Sequence, residues 1–295
     1  MPSSQIPIHD FSRDDSSSIS FKLLPLERKE TYDTSVPHRH NYYEIFYFQE
    51  GGGYHDIDFE QIPIAPNSIH FVSPGQVHLV RRALDSSGVV VFFSRDFFYL
   101  NLSNKDILFD LPFLNNNSKY PILNLEESQA GQYAMLFNQL RREYEGHNPY
   151  KEDVIRSYLN ILLLECRRMY DASNNKSEGE DLPSRKQFKE FKVLLEKNYL
   201  KLRKVQEYAS MMAITDKYLN EICKRSSGKT ASELVHDRVI LEARRLLLHS
   251  GLNNKEIAYF LGFEDPSHFS KFFKNKTGMT PSQFRKTLEE KYAHT

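Results

Sequence analysis

The chain has 295 residues, room for about two domains of ~100–200 residues each. Its composition, 40% hydrophobic and 26% charged, is that of a globular protein and excludes a fibrous or wholly disordered chain. The formal net charge is zero, yet residues 183–295 carry 22 Lys/Arg against 13 Asp/Glu, a net of +9, and residues 1–182 carry the opposite excess. That split points to a basic module that meets a polyanion and an acidic module with another task.

Residues 1–20 are polar and rich in Ser and Asp, and read as a loose arm. They lack the apolar stretch of a signal peptide, and no later run approaches the ~18 apolar residues of a membrane span. Cys166 and Cys223 each fall in an apolar helical pattern, as fillers of a core in a reducing compartment. The expectation is a soluble cytoplasmic protein without a membrane partner.

From Phe21 to about Phe93 the chain turns to short runs of β-branched and aromatic residues cut by Pro, Gly and Asn. Tyr42–Gln49, Tyr54–Phe59, Ile69–Ser73 and Val89–Phe93 read as strands, and their spacing suggests a β-barrel or sandwich over residues 21–125. Glu126–Glu145 and Tyr150–Tyr170 read as two helices broken at Gly146-His147-Asn148-Pro149. In the second, Val154, Tyr158, Ile161, Leu162 and Glu165 recur at helical spacing, with Ile155, Leu159, Leu163 and Cys166 beside them, a wide apolar stripe. Residues 126–170 are therefore expected to pair with a second copy in a homodimer, with Leu159 at the contact. Residues 171–184 have the composition of a linker, and residues 185–295 read as helical throughout.

The basic half contains a repeat. Gly228-Lys229-Thr230-Ala231-Ser232-Glu233-Leu234 returns fifty residues later as Gly278-Met279-Thr280-Pro281-Ser282-Gln283-Phe284. Upstream, Ala209 and Ala213 match Ala258 and Gly262, and Leu219, Ile222 and Cys223 match Phe269, Phe272 and Phe273. Each copy has the layout of a helix-turn-helix. A small residue (Ala209, Ala258) allows close helix approach, and four residues on Ala213 or Gly262 takes the sharp turn. Ile214 or Phe263 fills the corner, and Thr215, or Asp265 followed by Pro266, opens a second helix. The remaining positions of that helix face outward: Lys217, Tyr218, Asn220, Glu221 and Lys224 in the first copy, Ser267, His268, Ser270, Lys271 and Lys274 in the second.

Residues 257–285, IAYFLGFEDPSHFSKFFKNKTGMTPSQFR, resemble the signature of the AraC/XylS family of transcription regulators. The resemblance implies two helix-turn-helix subdomains over roughly residues 185–290, joined by a rigid helix near Ala231–His249. It implies double-stranded DNA as partner, base-reading positions at Lys217, Asn220, Glu221, Ser267, His268 and Lys271, and contact with RNA polymerase. Lys224 and Lys274 fall nearer the phosphates. Glu221 stands where a basic residue is often found; it could accept from a cytosine amino group or repel phosphate.

In the acidic half, His38-Arg39-His40 places two imidazoles on one face of an extended chain, with Glu44 on the same face. Together with His78 they form an N/O set of the kind that binds a divalent transition metal. The spacing is similar to the first motif of the cupin barrels, while the second motif keeps Pro74, Gly75 and His78 without the expected Asn. The fold expected is thus α+β multidomain: an N-terminal cupin-like β-barrel with two helices, then an all-α double helix-turn-helix domain. Three readings of the barrel stay open. His38, His40, Glu44 and His78 hold a metal, or with Tyr42 they line a metal-free pocket for a small-molecule effector, or they are structural. Function is read as effector-modulated activation of transcription, not catalysis, against two rivals: a metal-dependent enzyme tethered to DNA and a ligand-independent DNA binder.

Overall fold

The computed structural model describes residues 8–9, 21–26, 37–100, 107–114, 121–173 and 182–293. The chain divides into two compact units, one spanning Pro7–Ser177 and one containing Glu178–Thr295. Most of the N-terminal arm and residues 174–181 of the stretch read as linker lie outside the described residues.

The first unit contains β1 (Ile8–His9), β2 (Phe21–Leu26), β3 (Arg39–His40), β4 (Tyr43–Glu50), β5 (Gly53–Ile57), β6 (Glu60–Pro63), β7 (Ser68–Val72), β8 (His78–Arg82), β9 (Ser87–Phe93) and β10 (Ile122–Asn124). Its helices are α1 (Arg95–Tyr99), α2 (Ile107–Asp110), α3 (Glu127–Glu145) and α4 (Lys151–Ser173). A five-stranded antiparallel sheet runs in the order β10-β7-β4-β9-β2, and a three-stranded sheet in the order β6-β5-β8. The larger sheet is covered on both faces. Tyr43, Ile45, Tyr47, Ile69, Phe71, Val91 and Phe93 pack with α3 and α4 in one core. Phe46, Phe48, Val72, Val90 and Phe92 pack with Ile57 and Val80 of the smaller sheet in another. Burial on both faces explains why Ile45–Phe48 reads as an unbroken apolar run.

The apolar stripe of α4 splits between two surroundings. Ile155, Leu159, Leu162, Leu163 and Cys166 are buried in the core shared with the sheet and α3, whereas Ile161 and Leu164 are 45% and 40% exposed. The placement of Leu159 at a dimer contact is thereby corrected: that side chain is needed inside its own unit, because the sheet face requires a cover. Helix also intrudes on the expected linker from both ends, since α4 runs on to Ser173 and the next helix begins at Leu182.

The second unit is α5 (Leu182–Asn198), α6 (Val205–Met211), α7 (Asp216–Ser227), α8 (Ala231–His249), α9 (Asn254–Phe260), α10 (Pro266–Thr277) and α11 (Pro281–Ala293). The sequence repeat is the punctuation between these helices. Gly228 and Gly278 end α7 and α10 in left-handed conformation, with φ of 72° and 79°. Two residues later Thr230 and Thr280 accept hydrogen bonds from the backbone N–H of Glu233 and Gln283, opening α8 and α11. Both cysteines are free and buried, and burial pushes the Cys223 thiol up to about 12, so each serves as apolar filling. Among the described residues no helix is long and apolar enough to cross a membrane.

Candidate nucleic-acid interface and buried polar cluster

In the first helix-turn-helix, α6 and α7 meet over Ala209, which is buried, and the chain turns at Ala213 with φ of 53°. Thr215 caps α7 by accepting from the Tyr218 N–H. Leu219, Ile222 and Cys223 are buried, while Lys217, Tyr218, Glu221 and Lys224 are exposed. In the second, α9 and α10 meet over buried Ala258, Gly262 turns with φ of 78°, and Asp265 caps α10 with Pro266 at its first position. Phe269 and Phe273 are buried, Phe272 is half-buried against Phe263, and Ser267, His268, Lys271 and Lys274 are exposed. Two of these positions have partners within the unit. Asn220 is half-buried and turned toward the next helix, where its Oδ1 accepts from the Ala231 N–H at 3.0 Å and its Nδ2 donates to the Asp216 carbonyl. Glu221 pairs with Arg225 at 2.6 Å, one turn along α7.

The two motifs also touch each other. The Leu200 carbonyl lies so close to Gly262 that a Cβ there would come within 2.5 Å of it. Beside it, the Arg203 guanidinium is 3.7 Å from the centroid of the Phe263 ring and donates to the Leu261 carbonyl. The loop ahead of α6 therefore grips the turn ahead of α10. On the far side, His236 of α8 meets the edge of Phe272 at 5.3 Å.

In the first unit the inner faces of the two sheets carry a buried polar cluster. Nitrogen atoms of His40 and His78 and an oxygen of Glu44 converge within 4.8 Å of one another. His40 Nε2 is 3.3 Å from Glu44 Oε1 and His78 Nε2 is 3.4 Å from Glu44 Oε2, all fully buried. The register of β4 on β7 explains the placement: Glu44, Phe46 and Phe48 face inward opposite Val72, His70 and Ser68. His38 does not join the converging atoms; its ring lies against His78, with centroids 4.4 Å apart. Tyr42 stacks on His40 at 4.3 Å and is half-buried, at the edge of the cluster. Sequence reasoning missed two members. His55 on β5 and His70 on β7 are buried, with their Nδ1 atoms 3.2 Å apart, and His55 Nε2 is 3.2 Å from His78 Nδ1. Burial holds both imidazoles neutral, His70 down to about 4 and His55 well below the ordinary range. The signal for His55 was its place in phase with inward Ile57; for His70 it was hidden in a strand buried on both faces.

Two family models match the chain, an AraC-like ligand binding domain over residues 21–92 and a helix-turn-helix domain over residues 208–287. The chain belongs to the AraC/XylS type of transcription regulators. The HTH-type transcriptional activator RhaR of Salmonella agona (strain SL483) is 23% identical over 260 residues, which is 86% of this chain and 88% of that protein. Among solved structures, ToxT from Vibrio cholerae is 17% identical with a TM-score of 0.41, covering 91% of this chain and 98% of that one. The C-terminal domain of the response regulator yesN from Fusobacterium nucleatum is 27% identical with a TM-score of 0.31, covering 32% of this chain and 93% of that domain. In this AraC/XylS-type regulator, the ligand-binding match spans His38, His40, Glu44, His55, His70 and His78. The helix-turn-helix match spans both turns and both second helices, α7 and α10.

Proposed function

We propose that this regulator activates transcription by binding a specific DNA site as a homodimer, with its affinity set by a small molecule taken up in the N-terminal unit. The observation that carries the reading is the pair of exposed, Lys-bearing faces on α7 and α10, held in a basic unit joined to an AraC-like ligand-binding domain. The name of the RhaR relatives supports activation, and contact with RNA polymerase follows from that reading. Lys217, Ser267, His268 and Lys271 are assigned to base edges, Lys224 and Lys274 to phosphates. Asn220 is assigned to holding α8 in place, and Glu221 is a minor reader because Arg225 already engages it.

The test is a titration of the full chain with DNA selected from a random pool, at several salt concentrations. Lys271→Ala should cost about 1–3 kcal/mol and relax preference at one base pair. Lys274→Ala should weaken every sequence alike and lower the salt slope by about one. Equal loss on all sequences from both changes would remove Lys271 from the reading set. Salt-independent binding would overturn the electrostatic basis of the whole reading.

A second reading concerns the sensor. We infer that His40, Glu44 and His78 take a divalent transition metal: two imidazole nitrogens and one carboxylate oxygen, buried and within 4.8 Å, are a fitting donor set for such an ion. When bound, the ion would offer open positions to an oxygen-bearing effector. His38 and Tyr42 would pack around it. Metal content of the purified chain, together with recovery of a bound effector unchanged, would separate this sensor from a metal-dependent enzyme. A DNA affinity that no ligand alters would favour the ligand-independent binder.

A further inference from the structure

We propose that Ser68, His70 and His55 form a tautomer relay that turns the Nε2 lone pair of His78 toward His40 and Glu44, completing the metal-binding triad. The proposal rests on the metal reading above and adds three positioning residues to it.

The direction of each hydrogen bond follows from the two ends of the network. At one end, the single hydroxyl proton of Ser68 is committed to the Ala65 carbonyl at 2.7 Å, because a carbonyl can only accept. Toward His70 Nε2, 3.3 Å away, Ser68 Oγ is therefore the acceptor, and the proton belongs to that nitrogen. A neutral imidazole carries one N–H, so His70 Nδ1 is a lone pair. It faces His55 Nδ1 at 3.2 Å, which must then donate. His55 Nε2 is in turn the lone pair, and His78 Nδ1, 3.2 Å away, donates to it. In neutral His78 the relay leaves Nε2 as a lone pair, 3.4 Å from Glu44 Oε2.

The other end gives the matching answer. His40 Nδ1 is 2.7 Å from the Tyr42 carbonyl and must donate to it, so in neutral His40 Nε2 is also a lone pair, 3.3 Å from Glu44 Oε1. With both imidazoles neutral, their two Nε2 lone pairs and the Glu44 carboxylate converge in a buried region. A divalent cation accepts from all three groups at once. Partners on the outer nitrogen of a ligating histidine fix its tautomer and ring orientation, and losing them costs about 10–100-fold in metal affinity.

Strand geometry builds the relay. Ser68 and His70 alternate onto the inner face of β7, while His55 on β5 and His78 on β8 come from the opposite sheet. The relay spans the gap between the two sheets, and a one-residue slip of β7 would turn both of its members outward.

The test is a titration of the full-length chain, stripped with a chelator, with Co(II) followed by visible absorption, and with Zn(II) in competition. The wild-type chain should take one equivalent, and His40→Ala should abolish uptake. Ser68→Ala and His55→Leu should weaken Co(II) by about tenfold or more and shift its absorption bands. Ser68→Thr keeps the hydroxyl, and His55→Gln keeps an oxygen that accepts from His78 Nδ1. Both should stay within about threefold of wild type, by the same dependence on the outer partner. Thermal melts of the stripped proteins identify any variant whose loss is one of folding; Ser68→Ala, the smallest change, should melt close to wild type. Wild-type affinity and spectrum in both Ser68→Ala and His55→Leu would overturn the relay and leave the triad standing. No Co(II) uptake by the wild-type chain would overturn the triad and the relay together.

Discussion

Ala213 and Gly262 take the same left-handed turn with opposite tolerance. At Ala213, φ of 53° with a Cβ costs roughly 1–2 kcal/mol, and the residue is exposed, so nothing else requires the methyl group. Ala213→Gly should therefore raise stability by about 0.5–1 kcal/mol, after the added freedom of the unfolded glycine is subtracted. Gly262→Ala meets both the same strain and the Leu200 carbonyl at 2.5 Å, and should cost more than about 2 kcal/mol. Denaturant midpoints of the two variants check the pair; shifts of the same sign would refute the distinction. The turn itself was legible from small residues at matching places in the repeat. The second demand on Gly262 was not, because Leu200 is far off in sequence, in the loop ahead of α6. Asn220 shows a related limit: its outward phase on α7 was readable, but the amide bends back to the Ala231 N–H, a contact that helical spacing cannot register.

At the scale of elements, α4 shows how periodicity finds a helix without identifying its inner face. Apolar residues occupy so much of its circumference that Leu159 and Ile161 read as parts of one stripe. The structure gives the first to the sheet and the second to the surface. Leu159→Asp should consequently unfold the N-terminal unit, since an unpaired carboxylate would enter the core at a cost of several kcal/mol. Ile161→Asp combined with Leu164→Asp should leave thermal stability nearly unchanged and convert the proposed homodimer to monomer in sedimentation. A wild-type chain that sediments as a monomer at micromolar concentration, with or without DNA, would refute pairing through α4. Strands buried on both faces set the same kind of limit. In β4 and β7 apolar side chains occupy both phases, so sequence alone shows a strand but not that Glu44 and His70 share its inner side.

For the whole molecule, the helix-turn-helix half was legible because its motif is repeated and its basic excess shows in the net charge. The buried polar cluster of the first unit was only half legible. Its His-x-His and Glu44 are neighbours in sequence, but His55, His70 and His78 meet them through β5, β7 and β8, and pairing of distant strands leaves no local spacing to read. That buried cluster gives the first unit a response to acid. The folded-state value of His70 is about 4, below the ordinary 6.5 of the unfolded chain. As pH falls, the unfolded state takes up the proton first. Stability complete above pH 6.5 is then lost by about 1.4 kcal/mol per pH unit until the folded ring also titrates near 4. Melting in the presence of chelator between pH 7 and 4.5 should show this decline, and His70→Gln should make it shallower. An unchanged slope in the variant would exclude His70 as its source.

The contact of Leu200 and Arg203 with Gly262 and Phe263 also limits how such a protein can be re-engineered or can diverge. A chimera that grafts α9–α11 from a distant relative imports a turn shaped to a foreign loop. Residues 200–203, which lie outside the graft, would have to travel with it. Inheritance of DNA preference should accordingly follow the pair of motifs as one cassette, and mosaic proteins cut within α8 should fail at the seam while their recognition helices remain intact.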